Sequence, residues 1–255
     1  MSPLHDTGAL DHFVGKWQRR EPEMALAEPF CPPDERQCFR AWGALLHELR
    51  EAAFELSDPA VTAAKCRWWA EAVLALAEGQ GRHPVTAALA GRHADWAGLA
   101  GALLATAGAE EMRPGDTEAA LAQVMPLATA LARVEAALFS AEADEPRAIA
   151  VHLLLHRLPE GLGAADQARL PLHLLARHGL DMGAVAAGQG RALLRDWGRE
   201  LEAALPAPRP GRALFRRLRT GFDRARLRRL GRGPRFDAPA PLLSLLRAWR
   251  LARSR

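Results

Sequence analysis

The stretch "AWGALLHELREAAFELSD", Ala41 to Asp58, decides the fold. Trp42, Leu45, Leu46, Leu49, Ala53 and Leu56 recur at the i, i+3, i+4, i+7 spacing that lays one apolar stripe along an α-helix. Glu48, Glu51 and Glu55 fall on the far side, and His47, Arg50 and Phe54 lie between those acids and the stripe. A Phe beside an Arg and a His, outside the packing face, is the anomaly of this segment.

Working outward, the same period continues nearly throughout, and no run of alternating β-branched and aromatic residues bounded by turn dipeptides reads as a strand. The class is all-α. Helices are expected over Leu10–Arg19, Asp34–Leu56, Pro59–Glu78, Pro84–Ala90, Ala94–Ala107, Thr117–Ala141, Pro146–Arg157, Ala164–His178, Gly183–Leu205, Gly211–Leu230 and Pro239–Ala252. Breaks such as "FCPPDE", "RPGD" and "PAPRPG" carry the Pro and Gly of caps and turns. No unit of solenoid length repeats.

With 255 residues, 49% of them hydrophobic, the chain can bury a sizeable core. No uncharged run reaches the roughly 18–20 apolar residues of a membrane span, and the first residues have neither the basic nor the apolar region of a signal peptide. Cytoplasmic residence is the expectation. Cys31, Cys38 and Cys66 form no C-x-x-C pair, which suits reduced thiols.

The net charge of +4 hides an asymmetry. From Pro206 onward 15 arginines face only Asp223 and Asp237, a local charge of +13, which leaves −9 on residues 1–205. The division expected is a helical domain over 1–205, a linker at "LPAPRPG", and an Arg-rich amphipathic extension over 206–255. "RALFRRLRTGFDRARLRRLGRGPR" interleaves leucines and phenylalanines with arginines, and "PLLSLLRAWRLARSR" sets Leu242, Leu245, Leu246 and Trp249 on one face. Such helices pack on an acidic body, bind a protein partner, or lie on an anionic membrane, here through 211–255 and peripheral to the inner membrane. Nucleic acid is the least favoured partner.

Glu48, Glu51 and Glu55 share a face and could hold a metal, against a solvated polar face as the plainer reading. His152 and His156 have the i, i+4 spacing of two metal ligands, without a third nearby in sequence. "RWW", Arg67 to Trp69, reads as core packing ahead of a pocket lining. "GQG" and "GRG" lack the strand–turn–helix setting of a phosphate loop, and no G-x-S-x-G, H-E-x-x-H or Walker sequence occurs.

The leader "CPPDERQCFRAWGALLHELREAAFE", the "HP" turn at His83-Pro84, and "AIAVHLLLHRLPEGLGAADQARLPLHLLARHGLD" together resemble the squalene/phytoene synthase family, over about Leu26 to Leu205. The resemblance implies an isoprenoid-synthase-type helical bundle around a central cavity. In that family two facing Asp-rich motifs hold Mg²⁺ ions that bind prenyl diphosphates. Matching the leader puts the first motif's aspartates on Arg50, Glu51 and Phe54; matching the later helix puts the second pair near Arg157 and Gly161. Arg36 keeps the leader's arginine, and His47 stands where the family commonly has an arginine.

Only Glu51 of these five positions is acidic. An Arg about 5 Å from Mg²⁺ repels it by roughly 6 kcal/mol at an effective dielectric of about 20. The resemblance therefore implies a divergent member without catalysis and without a cofactor, similar to the family's complex I assembly factor branch. Glu51 is its one remnant acid, and Glu48 and Glu55 are then expected in solvent. A ligand-binding version has Arg36, His47, Arg50, Phe54 and Arg157 receiving a prenyl lipid or diphosphate. The alternative is an active, Mg²⁺-dependent prenyltransferase using Glu48, Glu51, Glu55 and Glu160.

Overall fold

The computed structural model describes residues 4–109, 112–141, 145–163, 168–207, 211–233 and 236–253. Among these residues it contains thirteen α-helices, one 3-10 turn at Glu28–Phe30, and no strand. The chain is all-α. The helices are α1 Leu4–Arg20, α2 Pro22–Ala27, α3 Arg36–Phe54, α4 Pro59–Ala77, α5 Pro84–Ala87, α6 Trp96–Gly108, α7 Thr117–Leu138, α8 Pro146–Gly161, α9 Leu172–His178, α10 Met182–Ala186, α11 Arg191–Ala204, α12 Leu214–Arg232 and α13 Pro241–Arg253.

Local chemistry sets most of these boundaries. Asp58, Asp95, Asp116 and Asp181 each accept a backbone N–H in the first turn of the helix they precede. Gly179, at φ +62, ends α9 in the left-handed conformation that a side chain disfavours. Pro22 starts α2 at once after α1, because proline suits a first helical turn and cannot continue the preceding one. That break was not foreseen from the sequence; nor was the division of the expected Gly183–Leu205 helix into α10 and α11.

The stretch that opened the reading becomes the centre of the bundle. Every residue from Ala41 to Arg50 is buried, so α3 has no solvated face over that span. α1 crosses α3 closely at Gly43, where a Cβ would enter the Trp17 ring. α8 and α12 pack on the same interior, and Phe215, Leu218, Phe222, Leu227 and Leu230 of α12 belong to one continuous core with Trp42, Leu45 and Leu49.

For α12 the structure bears out packing on the acidic body, the first of the readings of the Arg-rich segment. The part in α12 is an interior helix in which Arg216, Arg219 and Arg226 pair with Glu135, Glu21 and Glu23, so part of the tail's positive charge is neutralised inside the molecule by acids of the body. The segment Ala164–Gln167, at the start of the helix expected up to His178, lies outside the described residues. Among the described residues one helix, α7, is by length and composition apolar enough to cross a membrane, contrary to the sequence expectation of none. Half of that stretch is buried, and Pro126 interrupts it. A groove of about 490 Å³ opens along α7 and α8, lined by Leu121, Met125, Glu118 and Arg147.

Candidate functional site

Glu21 stands between the two helices that matter most. Its position just before Pro22 ends α1 and turns its carboxylate inward. One oxygen accepts from Arg50 Nη1 of α3 at 2.9 Å; the other accepts from Arg219 Nη1 of α12 at 2.8 Å and from Trp17 Nε1 at 3.0 Å. Glu23, two residues further on, accepts from Arg219 Nη2 at 2.7 Å and takes Arg226 in a two-pronged pair at 2.9 Å. Asp223 closes the ring on α12 itself, accepting from Arg219 Nε at 3.1 Å.

α8 supplies the lid of this network. His152 Nδ1 lies 3.1 Å from Asp223, and His156 Nε2 lies 3.4 Å from the same carboxylate. His152, Arg219 and Asp223 are wholly buried, and Glu21, Glu23, Arg50 and His156 are within 2% of it. Charged groups are rarely found in such places without full pairing. Here Arg50, Arg219 and Arg226 face Glu21, Glu23 and Asp223, a net charge of zero when the histidines are neutral.

The electrostatics agree with that count. Burial alone would raise the Glu21 carboxyl, but the Arg219 guanidinium, joined by Arg50, holds it well below the ordinary carboxylate range. Asp223 is lowered in the same way against its burial, chiefly by Arg219. Burial pushes His152 down, with Asp223 opposing; it pushes His156 further down, with His152 adding to the effect. His47 goes down to about 3 through burial and the neighbouring Arg50, whose Nη2 donates to its Nδ1 at 2.9 Å.

The residues singled out by the sequence fall into this picture unevenly. Arg50, buried, also donates to Glu55 at 3.0 Å, so its guanidinium is spent on carboxylates of its own chain. Phe54 is buried with the Arg157 guanidinium 5.2 Å from its ring centroid, which resolves the anomaly of a Phe on that face. Arg36 donates to the Cys31 carbonyl at 3.3 Å and stands apart from the network. The side chain of Glu160 lies outside the described residues.

Glu48 and Glu55 are not solvated, contrary to expectation. Glu48 is 3% exposed and accepts from Lys16 Nζ at 2.9 Å; Glu55 is buried by its side chain and shared between Arg20 and Arg50. Glu51 pairs with Lys16 at 2.6 Å and with Lys65, and is held down at about 2 by those two ammonium groups against its partial burial. Of "RWW", read as core packing, only Trp69 is buried, packing edge-on to Trp68 and His83; Arg67 and Trp68 are exposed. Trp42 donates to Glu135 at 2.8 Å, and Glu135 takes Arg216 in a second buried two-pronged pair.

Among the described residues, two groups of donors are close enough to hold a cation: Glu21 with His152 and His156, and His47 with Glu48 and Glu51. Neither fits Mg²⁺. Magnesium takes carboxylate, phosphate and water oxygens, and here the carboxylates already carry guanidinium or ammonium partners. A dication at Glu21 would add +2 to a cluster already balanced, with Arg50 and Arg219 beside it.

Sequence reasoning missed Glu21, Glu23 and Asp223. The signal was present in Arg216, Arg219, Asp223 and Arg226, which recur at i, i+3, i+7, i+10 and so form a polar stripe along α12 that includes its one acid. No known family's sequence profile matches the chain, and no curated protein matches it in sequence.

Proposed function

We propose that this chain is a catalytically silent relative of the squalene/phytoene synthases, with their isoprenoid-synthase architecture, that works as an assembly factor for a larger protein complex. The observation that carries the reading is the Arg50–Glu21–Arg219–Glu23–Arg226 chain of ion pairs. It runs through the position where the resemblance aligns the first metal-binding motif, and with Asp223, which pairs with Arg219, its charges balance.

This arrangement argues against both competing readings. A prenyl diphosphate contacting Arg50 directly would have to displace Glu21 and Glu55, whose carboxylates are as anionic as the phosphate and are already in place. A Mg²⁺-dependent transferase would have to free Glu48 and Glu51 from Lys16 and Lys65. A stiff bundle whose former centre is locked by internal ion pairs suits a scaffold that presents surfaces to other proteins.

The test has two arms. Purified full-length protein incubated with farnesyl or geranylgeranyl diphosphate and Mg²⁺ is expected to release no diphosphate and to show no rise in melting temperature. Deleting the gene in its own organism is expected to lower the amount of an assembled membrane complex, complex I first, on native gels, and to leave prenyl products unchanged. Turnover of a prenyl diphosphate, or lost prenyl products with intact complexes, would overturn the proposal.

A further inference from the structure

The last helix is packed the wrong way round for a helix that ends its business inside the protein. An amphipathic helix of a globular protein turns its large apolar residues to the core. α13 turns in Ser244 and Ala248, both fully buried, and turns out Leu242, Leu243, Leu245, Leu246 and Trp249. Leu242 is 81% exposed and Leu243 59%. At 100° per residue, Leu242, Leu245, Leu246 and Trp249 cluster on the side opposite Ser244 and Ala248.

The helix is held in that orientation by specific contacts. Leu251 sits against Gly221 of α12, where a Cβ would collide with it, and Arg217 donates to the Leu251 carbonyl at 3.1 Å. Ser244 Oγ donates to the Pro239 carbonyl at 3.3 Å. Small residues inside allow close approach to α12 and α2, and the outward leucines are the consequence.

The charge on the outward side has one sign. Arg250 and Arg253 are exposed, Arg247 is half-buried at the edge, and no Asp or Glu occurs from Pro241 to Arg253. The Arg253 guanidinium lies 4.5 Å from the centroid of Trp249, so the cation and the indole share one outward position. A second copy meeting this face would bring arginines against arginines with no acid to offset them. Phosphate headgroups above acyl chains offer what the face lacks, anions at the rim and hydrocarbon at the centre.

We infer that α13 is an interfacial helix that docks the folded protein on an anionic bilayer, its Leu242/Leu245/Leu246/Trp249 face entering the headgroup–acyl boundary and Arg250 and Arg253 meeting lipid phosphates. The inference narrows the membrane expectation for 211–255 to the last helix, because α12 is interior, and it does not depend on the assembly-factor reading. Membrane contact here requires no unfolding, since the apolar face is already outside.

The experiment is co-sedimentation of the full-length protein with vesicles of phosphatidylcholine alone or with about one-third phosphatidylglycerol. The protein is expected to partition at least about tenfold better onto the anionic vesicles, with binding falling as salt rises. Leu246→Ser/Trp249→Ser and Arg250→Gln/Arg253→Gln are each expected to weaken that binding about tenfold or more. Leu104→Ser, at an equally exposed leucine on α6, is expected to leave it unchanged. Unaltered melting temperatures show that each variant is folded. Equal binding to both vesicle types, or α13 variants that bind like the wild type, would overturn the inference. So would a dimer in solution that the α13 variants dissociate, since the face would then belong to a second copy.

Discussion

Replacing Arg219 by Met removes the one guanidinium that touches Glu21, Glu23 and Asp223 together, at 2.8, 2.7 and 3.0 Å. The side chain is wholly buried, so water cannot stand in for it, and the interior is left with three carboxylates against Arg50 and Arg226. Breaking a buried pair by deleting one partner costs about 3–5 kcal/mol. Against a typical total of about 5–15 kcal/mol, that is a large share of the stability. The magnitude is tied to pH. The uncompensated charge is relieved most cheaply by a proton on one of the carboxylates or on His152, which the variant accepts at a higher pH than the wild type. The folded variant then binds about one more proton between pH 7.5 and 5.5, so the gap to wild type narrows by about 1–3 kcal/mol over that range. Urea unfolding followed by helical circular dichroism at both pH values measures it. Adding Glu23→Gln to the variant restores neutrality and is expected to recover part of the loss. A loss below about 1 kcal/mol at pH 7.5, the same loss at both pH values, or strict additivity of the two substitutions would refute the account of a charge-balanced interior.

The wild type itself is expected to be sensitive to acid. His47 and His156 have folded pKa values far below the unfolded value near 6.5, so the unfolded chain binds protons that the folded one refuses; stability is full above about pH 7 and falls as pH drops through 6.5. At pH 5.5 these two groups cost about 3 kcal/mol, with His152 adding to it, and a melting temperature unchanged between pH 7.5 and 5.5 would contradict their burial as neutral groups. Gly43→Ala places a methyl group in the Trp17 ring at the α1–α3 crossing and is expected to cost about 1–3 kcal/mol, read by the same unfolding measurement. Gly101→Ala, on α6 with open space at its Cβ, is its control and is expected to cost nothing.

The helical class was readable because the apolar stripe of 41–58 and its neighbours is strong and periodic, and because Asp caps and Pro starts mark the boundaries. What lay beyond reading was which polar residues face inward. Glu48 and Arg50 carry no mark in the sequence that distinguishes a paired interior charge from a solvated one, since pairing partners such as Lys16 and Glu21 are about 30 residues away. The Arg-rich segment stayed ambiguous for the same reason: charge density alone does not choose between a surface and packing on the acidic body, and the acids at Glu21, Glu23 and Glu135 make α12 a core helix. The reading of α13 as amphipathic held, but periodicity does not say which side of a helix meets the protein. Here Ser244 and Ala248 take the inward side, and Gly221 of α12 leaves room for Leu251.

The Glu23–Arg226 pair joins residues 203 positions apart. During synthesis the acids at the start of the chain leave the ribosome long before the arginines that neutralise them, and loop closure over that distance comes late. Until α12 arrives, Glu23 lacks both of its arginine partners and Glu21 has Arg50 but not Arg219. Arrival of α12, Leu214–Arg232, is therefore the step that closes the centre, and a product truncated before it is expected to lose the packed interior.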